Sequence, residues 1–77
     1  MRGRAVPLSQ LPPGSRGRIA RVLGGRGKAR RLMEMGLTPG SEVLVLRNEA
    51  GPVLVRVRGV TIAMGRGLAR SVLVEVG

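Results

Sequence analysis

Glycine and proline interrupt this chain so often that large regular elements are excluded. The sequence has 77 residues, of which 13 are glycine and five are proline. Both residue types favour turns and end helices and strands. The segments between them are rich in Val, Leu and Ile, and residues 53–58 alternate between apolar and polar positions along most of their length. This pattern predicts short strands that are connected by tight turns.

The chain contains five or six predicted strands, depending on whether the shortest, near the N-terminus, is counted. They are residues 6–8, 17–23, 41–47, 53–58, 60–64 and 71–76. Residues 65–70 would hold a single helical turn. Regularly spaced short strands indicate a sandwich or a barrel, and we favour a small barrel because closure of the sheet removes exposed edges. The length allows one domain, which we place at residues 1–77.

One segment, residues 28–35, has the apolar spacing of a helix. Ala29, Leu32 and Met33 fall at positions i, i+3 and i+4, so we expect them to form one apolar face. This helix would lie between two of the early strands.

The end of this helix is better defined than its start. Gly36 stands where a residue with positive φ commonly ends a helix, and Leu37 would then contact Leu32 in a Schellman motif. Pro39 prevents the helix from resuming.

The core should be purely aliphatic, because the chain has no aromatic residue and no cysteine for a disulfide. Hydrophobic residues make up 43% of the sequence. The inward positions of the predicted elements give the expected core: Leu32, Val43, Val55, Val57, Ile62, Val72 and Val74.

The side chains that most catalytic and transition-metal sites use are missing. The chain has no His and no Cys, and its four carboxylates are far apart in the sequence. The glycine-rich segments 24–28 and 65–70 complete neither a phosphate-binding loop nor a dinucleotide fingerprint. We therefore expect no catalytic residue, no metal site and no cofactor.

The net charge of +10 limits the kind of partner. Such a charge attracts nucleic acid, an anionic membrane surface or an acidic protein. No apolar run approaches the ~20 residues needed to span a bilayer, and no apolar segment of a signal peptide follows the basic N-terminus. We therefore expect a cytoplasmic protein.

The most specific motif is RRLMEMGLTPG, residues 30–40. It resembles the signature of the FeoA-type ferrous iron transport proteins, which have basic residues, a leucine, a Met-Gly-Leu helix stop and then Pro-Gly. Leu8, Leu11 and residues 13–14 resemble the opening of that family, and residues 56–59 resemble its hairpin. The resemblance covers essentially the whole chain.

The resemblance implies an SH3-like barrel with one short α-helix inserted between early strands. It also implies a non-enzymatic, cytosolic partner of the membrane transporter FeoB, which would bind the GTP-binding domain and reach the membrane only through that partner. No stable DNA or RNA partner is then expected. We place the contact on the helix and its exit: Lys28, Arg31, Met35, Leu37 and Thr38.

Two alternatives remain open at this point. The first is a small basic barrel that binds nucleic acid through phosphates, with affinity that falls steeply with salt. The absence of aromatic side chains for base stacking weighs against it. The second is a regulatory domain like that of the metal-dependent repressors, which would need a metal or an acidic peptide as its ligand.

Overall fold

The computed structural model describes residues 4–76. Residues 1–3 and 77 lie outside this part. All four belong to the predicted domain, and residues 1–3 also belong to the N-terminal segment that we judged not to be a signal peptide. Within residues 4–76 the strands are β1 (Arg4–Pro7), β2 (Arg16–Val22), β3 (Glu42–Arg47), β4 (Val53–Val57), β5 (Val60–Met64) and β6 (Val72–Val76). The helices are α1 (Arg26–Glu34) and α2 (Arg66–Arg70), and a 3₁₀ turn covers Leu8–Gln10. None of the helices in the described part is long and apolar enough to cross a membrane.

The strands form one antiparallel sheet in the order β1-β6-β2-β3-β4-β5. The prediction of a mostly β fold with five or six short strands is therefore confirmed. The inserted helix lies between β2 and β3, and residues 66–70 form the expected helical turn. The first strand begins earlier than predicted and ends at Pro7, because Leu8 starts the 3₁₀ turn.

Strand β2 lies in the middle of the sheet, where it joins β6 on one side to β3 on the other. Its first residues pair with β3 in the register Gly17↔Val43, and its later residues pair with β6 in the register Ile19↔Val74. A bulge between Ile19 and Arg21 shifts the register. A Cβ atom on Gly17 would lie 2.5 Å from a methyl carbon of Val74, so the close approach of β2 and β6 requires glycine here.

The core is a single aliphatic cluster enclosed by the sheet, α1 and α2. The predicted core residues are buried, except that Ile62 is partly buried and packs against the cluster. The cluster consists of Leu8, Leu11, Ile19, Leu32, Leu37, Val43, Val45, Val53, Val55, Val57, Met64, Ala69, Val72 and Val74.

The predicted helix stop is confirmed in detail. The amide of Gly36 donates to the carbonyl oxygen of Met33 at 2.9 Å, and the amide of Leu37 donates to that of Leu32 at 2.8 Å. Gly36 has a φ of +92°, and the side chains of Leu32 and Leu37 are both 0% exposed. These are the two hydrogen bonds and the apolar contact of a Schellman motif.

The predicted apolar face of α1 is wrong in one residue. The side chain of Met33 is 56% exposed, whereas Met35 is partly buried and packs against the core. The reason is angular, because successive helical residues are rotated by about 100°. Met35 therefore lies only about 60° from the buried Leu32, while Met33 lies about 100° from it. The helix also begins two residues before the predicted start, at Arg26 rather than at Lys28.

The β4–β5 hairpin contains a strained backbone position. Its turn residues, Arg58 and Gly59, have φ values of +54° and +79°, which are typical of a type I′ turn. Arg58 is the one residue other than glycine that has a positive φ within the described part. A left-handed conformation is costly for a long side chain, whereas Asn and Gly adopt it readily.

The two glycines at the ends of α1 give a matched test of the helix boundaries. Gly36→Ala should lower the free energy of unfolding by about 1 kcal/mol, because alanine is strained at positive φ. Gly27→Ala should raise it by about 0.5–1 kcal/mol, because Gly27 is helical and has no atom within 4 Å of an added Cβ. Urea denaturation of both variants measures these changes, and equal effects of the same sign would contradict the assigned helix end.

The turn of the β4–β5 hairpin gives a second test. Arg58→Asn should raise the free energy of unfolding by about 0.5–1 kcal/mol, because asparagine tolerates the left-handed conformation. Arg56→Asn, in the neighbouring strand, should give no such gain because asparagine is disfavoured in strands. Thermal denaturation followed by circular dichroism would show whether only the turn variant melts at a higher temperature.

A candidate partner-binding surface on helix α1

Helix α1 carries four cationic side chains, on Arg26, Lys28, Arg30 and Arg31, and a single carboxylate, on Glu34. Its first turn contains no acidic residue, and its N-cap residue, Gly25, has no side chain that could cap the helix. Positive charge near the start of a helix opposes the macrodipole, whose N-terminal end favours anions. The helix therefore presents uncompensated positive charge, which an acidic partner would neutralise.

The side chain of Lys28 is held in place rather than free in solvent. Its Nζ donates a hydrogen bond to Oγ of Ser71 at 3.0 Å, in a partly buried position. A Cβ atom on Gly24 would lie 3.1–3.2 Å from the end of the Lys28 side chain, so the glycine leaves room for it. The contact joins α1 to the residue that precedes β6, and it fixes the position of one positive charge.

A shallow groove of about 360 Å³ runs beside Lys28. It is lined by Gly24, Gly27, Lys28, Arg31 and Leu68. Two cations at its rim and one leucine in its wall suit an acidic segment with an apolar side chain. We refer to it below as the Lys28–Arg31 groove.

A second groove, of about 420 Å³, lies on the outer side of α1. It is lined by Arg26, Gly27, Ala29, Arg30 and Met33. Met33 is the exposed thioether of this surface, although the sequence analysis placed it on the apolar face of the helix. The 100° rotation between helical residues, counted from Leu32, is the signal that could have identified it.

The structure brings together only part of the predicted contact set. Lys28 and Arg31 share one groove. Met35 packs partly against the core, and the hydroxyl of Thr38 lies 2.8 Å from that of Ser41. Leu37 does not fit the prediction, because its side chain is completely buried in the Schellman motif and cannot reach a partner.

The acidic residues form no metal centre in the described part of the chain. No group of three or more His, Cys, Asp or Glu side chains that could hold a metal ion lies within residues 4–76.

Comparison with known proteins agrees with this fold and this sequence motif. The model of the FeoA domain family matches residues 6–76. A protein of Methanocaldococcus jannaschii, named as an Fe(2+) transport protein A, is 39% identical over 69 residues, which cover 90% of this chain and 84% of that protein. The crystal structure of an iron uptake regulatory protein, FeoA, is 42% identical, with a TM-score of 0.88 over 94% of this chain and 97% of that one.

The fold and the helix surface define a small SH3-like barrel with a cationic inserted helix, as the motif of residues 30–40 implied. The chain belongs to the FeoA domain family. The same fold occurs in a manganese-dependent transcriptional repressor, which is 23% identical, with a TM-score of 0.87 over 97% of this chain and 43% of the repressor. At that identity the similarity concerns the fold alone.

The contact between Lys28 and Ser71 can be measured by a double-mutant cycle. Ser71→Ala, Lys28→Met and the double variant should give a coupling free energy of about 0.5–1.5 kcal/mol, because each single change removes the same hydrogen bond. Denaturant unfolding of the four proteins supplies the values. Strictly additive effects would show that the contact does not contribute to stability.

Proposed function

We propose that this chain is a non-enzymatic, cytosolic accessory protein of ferrous iron uptake that binds the cytosolic GTP-binding part of the membrane transporter FeoB. Membership of the FeoA family and the name of its M. jannaschii relative support the link to Fe²⁺ transport. The observation that carries the proposal of a binding role is the concentration of uncompensated positive charge on α1.

We place the contact at the Lys28–Arg31 groove, with Met35 and Thr38 at the helix exit as flanking residues. Arg31 is exposed, and Lys28 is held beside it by Ser71. An acidic side chain of the partner would meet two positive charges whose spacing is set before binding. Such preorganisation lowers the entropic cost of forming the complex.

The same surface explains why the unfavourable charges at the start of α1 are compatible with a functional protein. Each cation near the N-terminus of a helix costs a few tenths of a kcal/mol, up to about 1 kcal/mol. An acidic partner surface removes that cost when the complex forms. The charge distribution therefore weakens the free helix and strengthens the complex.

The test is calorimetric titration of this protein with the soluble GTP-binding domain of FeoB at two salt concentrations. Arg31→Glu should weaken binding by at least ~10-fold, or about 1.4 kcal/mol, because it replaces attraction by repulsion. Arg47→Glu is the matched control, since Arg47 is exposed at the end of β3 and lines neither groove of α1. It changes the net charge by the same amount and should have a much smaller effect.

A random RNA oligomer measures general attraction to phosphates in the same experiment. Binding to the FeoB domain that persists near physiological salt and is lost in Arg31→Glu supports the proposal. Equal losses in Arg31→Glu and Arg47→Glu would show that only net charge matters. Salt-sensitive binding of RNA without binding of the FeoB domain would contradict the proposal and favour the nucleic-acid alternative.

A further inference from the structure

Strand β5 has a free hydrogen-bonding edge. It pairs on one side with β4 and is the last strand in the order of the sheet. Val57 and Val60 flank the type I′ turn, so the amide of Val60 points toward β4. The backbone groups of alternate residues, Thr61 and Ala63, therefore point away from β4. Within residues 4–76 no further backbone hydrogen bond reaches either residue.

This edge lacks the features by which proteins usually protect an edge strand. Such edges commonly carry charged side chains or proline, or are very short. The sequence of β5, VTIAM, contains no charge, no proline and no glycine, and the side chain of Val60 is 58% exposed. The opposite edge of the sheet, β1, has four residues, begins with an arginine and ends with a proline. Of the two edges within residues 4–76, the β5 edge is therefore the less protected against pairing with another strand.

The surface beside this edge is positively charged. Arg56 on β4 lies opposite Thr61, and its Nη2 reaches Oγ1 of Thr61 at 3.5 Å in a long, weak hydrogen bond. The guanidinium group therefore extends over β5 toward the open edge. Arg58 is exposed in the turn that leads into β5. No acidic residue occurs in residues 53–64, and the groove that Arg56 and Arg58 line together with Arg16 contains one carboxylate, that of Glu42 on β3, so this surface keeps a net positive charge.

We propose that the β5 edge binds an extended acidic segment of a partner protein by β-strand addition. The main chain of that segment would pair with the outward backbone groups of Thr61 and Ala63. An acidic side chain opposite Thr61 would meet the guanidinium of Arg56. Two residues away on the same face, an aliphatic side chain would lie beside Ala63 and the partly buried Leu54.

Charge selects this occupant over the other ones that an open edge could accept. A second copy of the chain would bring together two proteins that each carry a charge of +10. A nucleic acid has no amide pattern to complete a β-ladder, and the hairpin offers no aromatic ring for stacking. The proposal does not rest on binding of FeoB through α1, because it concerns a different surface and a different probe.

The experiment is amide hydrogen exchange, followed by NMR, with a synthetic peptide of about ten residues in which Val and Glu alternate. A matched peptide with Lys in place of Glu is the control. The glutamate peptide should slow exchange at Thr61 and Ala63 by at least ~10-fold, because their amides become hydrogen-bonded. The lysine peptide should have no such effect. Absence of protection at both amides, or equal protection by both peptides, would overturn the proposal.

A charge reversal tests the role of Arg56. Arg56→Glu should abolish protection by the glutamate peptide and allow protection by the lysine peptide. Arg21→Glu changes the net charge equally but lies on β2, and should leave the preference unchanged. Equal loss in both variants would show that the peptide responds to overall charge, and the proposal would fail.

Two further variants separate binding from stability and from self-association. Arg58→Asn should bind the glutamate peptide more weakly although its turn is less strained, a combination that a purely structural role of Arg58 would not produce.

Thr61→Pro removes an outward amide donor at the edge and should abolish peptide binding while the fold, checked by its NMR spectrum, is retained. Concentration-dependent dimerisation lost in Thr61→Pro, without peptide binding by the wild type, would assign the edge to a second copy and overturn the proposal.

Discussion

The pairing of β2 with both β3 and β6 is the contact on which the rest of the barrel depends. It joins two groups of strands: the pair β1–β6, which comes from the two ends of the chain, and the three consecutive strands β3, β4 and β5. The approach of β2 to β6 is possible because Gly17 has no side chain where the methyl group of Val74 lies. The core that this arrangement encloses contains no aromatic ring, so its stability depends on close packing of many small aliphatic side chains.

The position of α1 follows from the same arrangement. The helix leaves the end of β2 and returns to the start of β3, so its location is set by strands that are themselves paired. The side chains of Leu32, in the helix, and Leu37, just after it, are both completely buried in the core. The Schellman motif between them fixes where the chain turns. The cations of α1, of which Lys28 is held by Ser71 and Arg31 is exposed, are therefore carried by an element whose position is fixed. Rigid placement is what makes a cluster of charged side chains specific for a partner.

The two edges of the sheet differ in a way that the fold alone does not require. The β1 edge is short and carries an arginine and a proline, whereas the β5 edge is apolar and exposed. The arginines beside the β5 edge, Arg56 and Arg58, and the cations of α1 line different grooves of the surface. The two binding regions that we propose are therefore separate surfaces of one small barrel. The manganese-dependent repressor shares the fold at low identity, and a shared fold does not by itself imply a shared function.

The sequence by itself determined the local features of this protein. The alternation and the helix stop at Gly36 depend on neighbours within a few positions, and both are found as predicted, except that Arg58, which the alternation of residues 53–58 assigned to the strand, lies in the β4–β5 turn. The motif of residues 30–40 was also sufficient to identify the family. Tertiary structure decided what depends on distant residues: the complete burial of Leu37, and the hydrogen bond between Lys28 and Ser71, which are 43 positions apart. Local patterns fix backbone conformation because they act between adjacent residues, whereas the exposure of a side chain is settled only when distant elements pack against it.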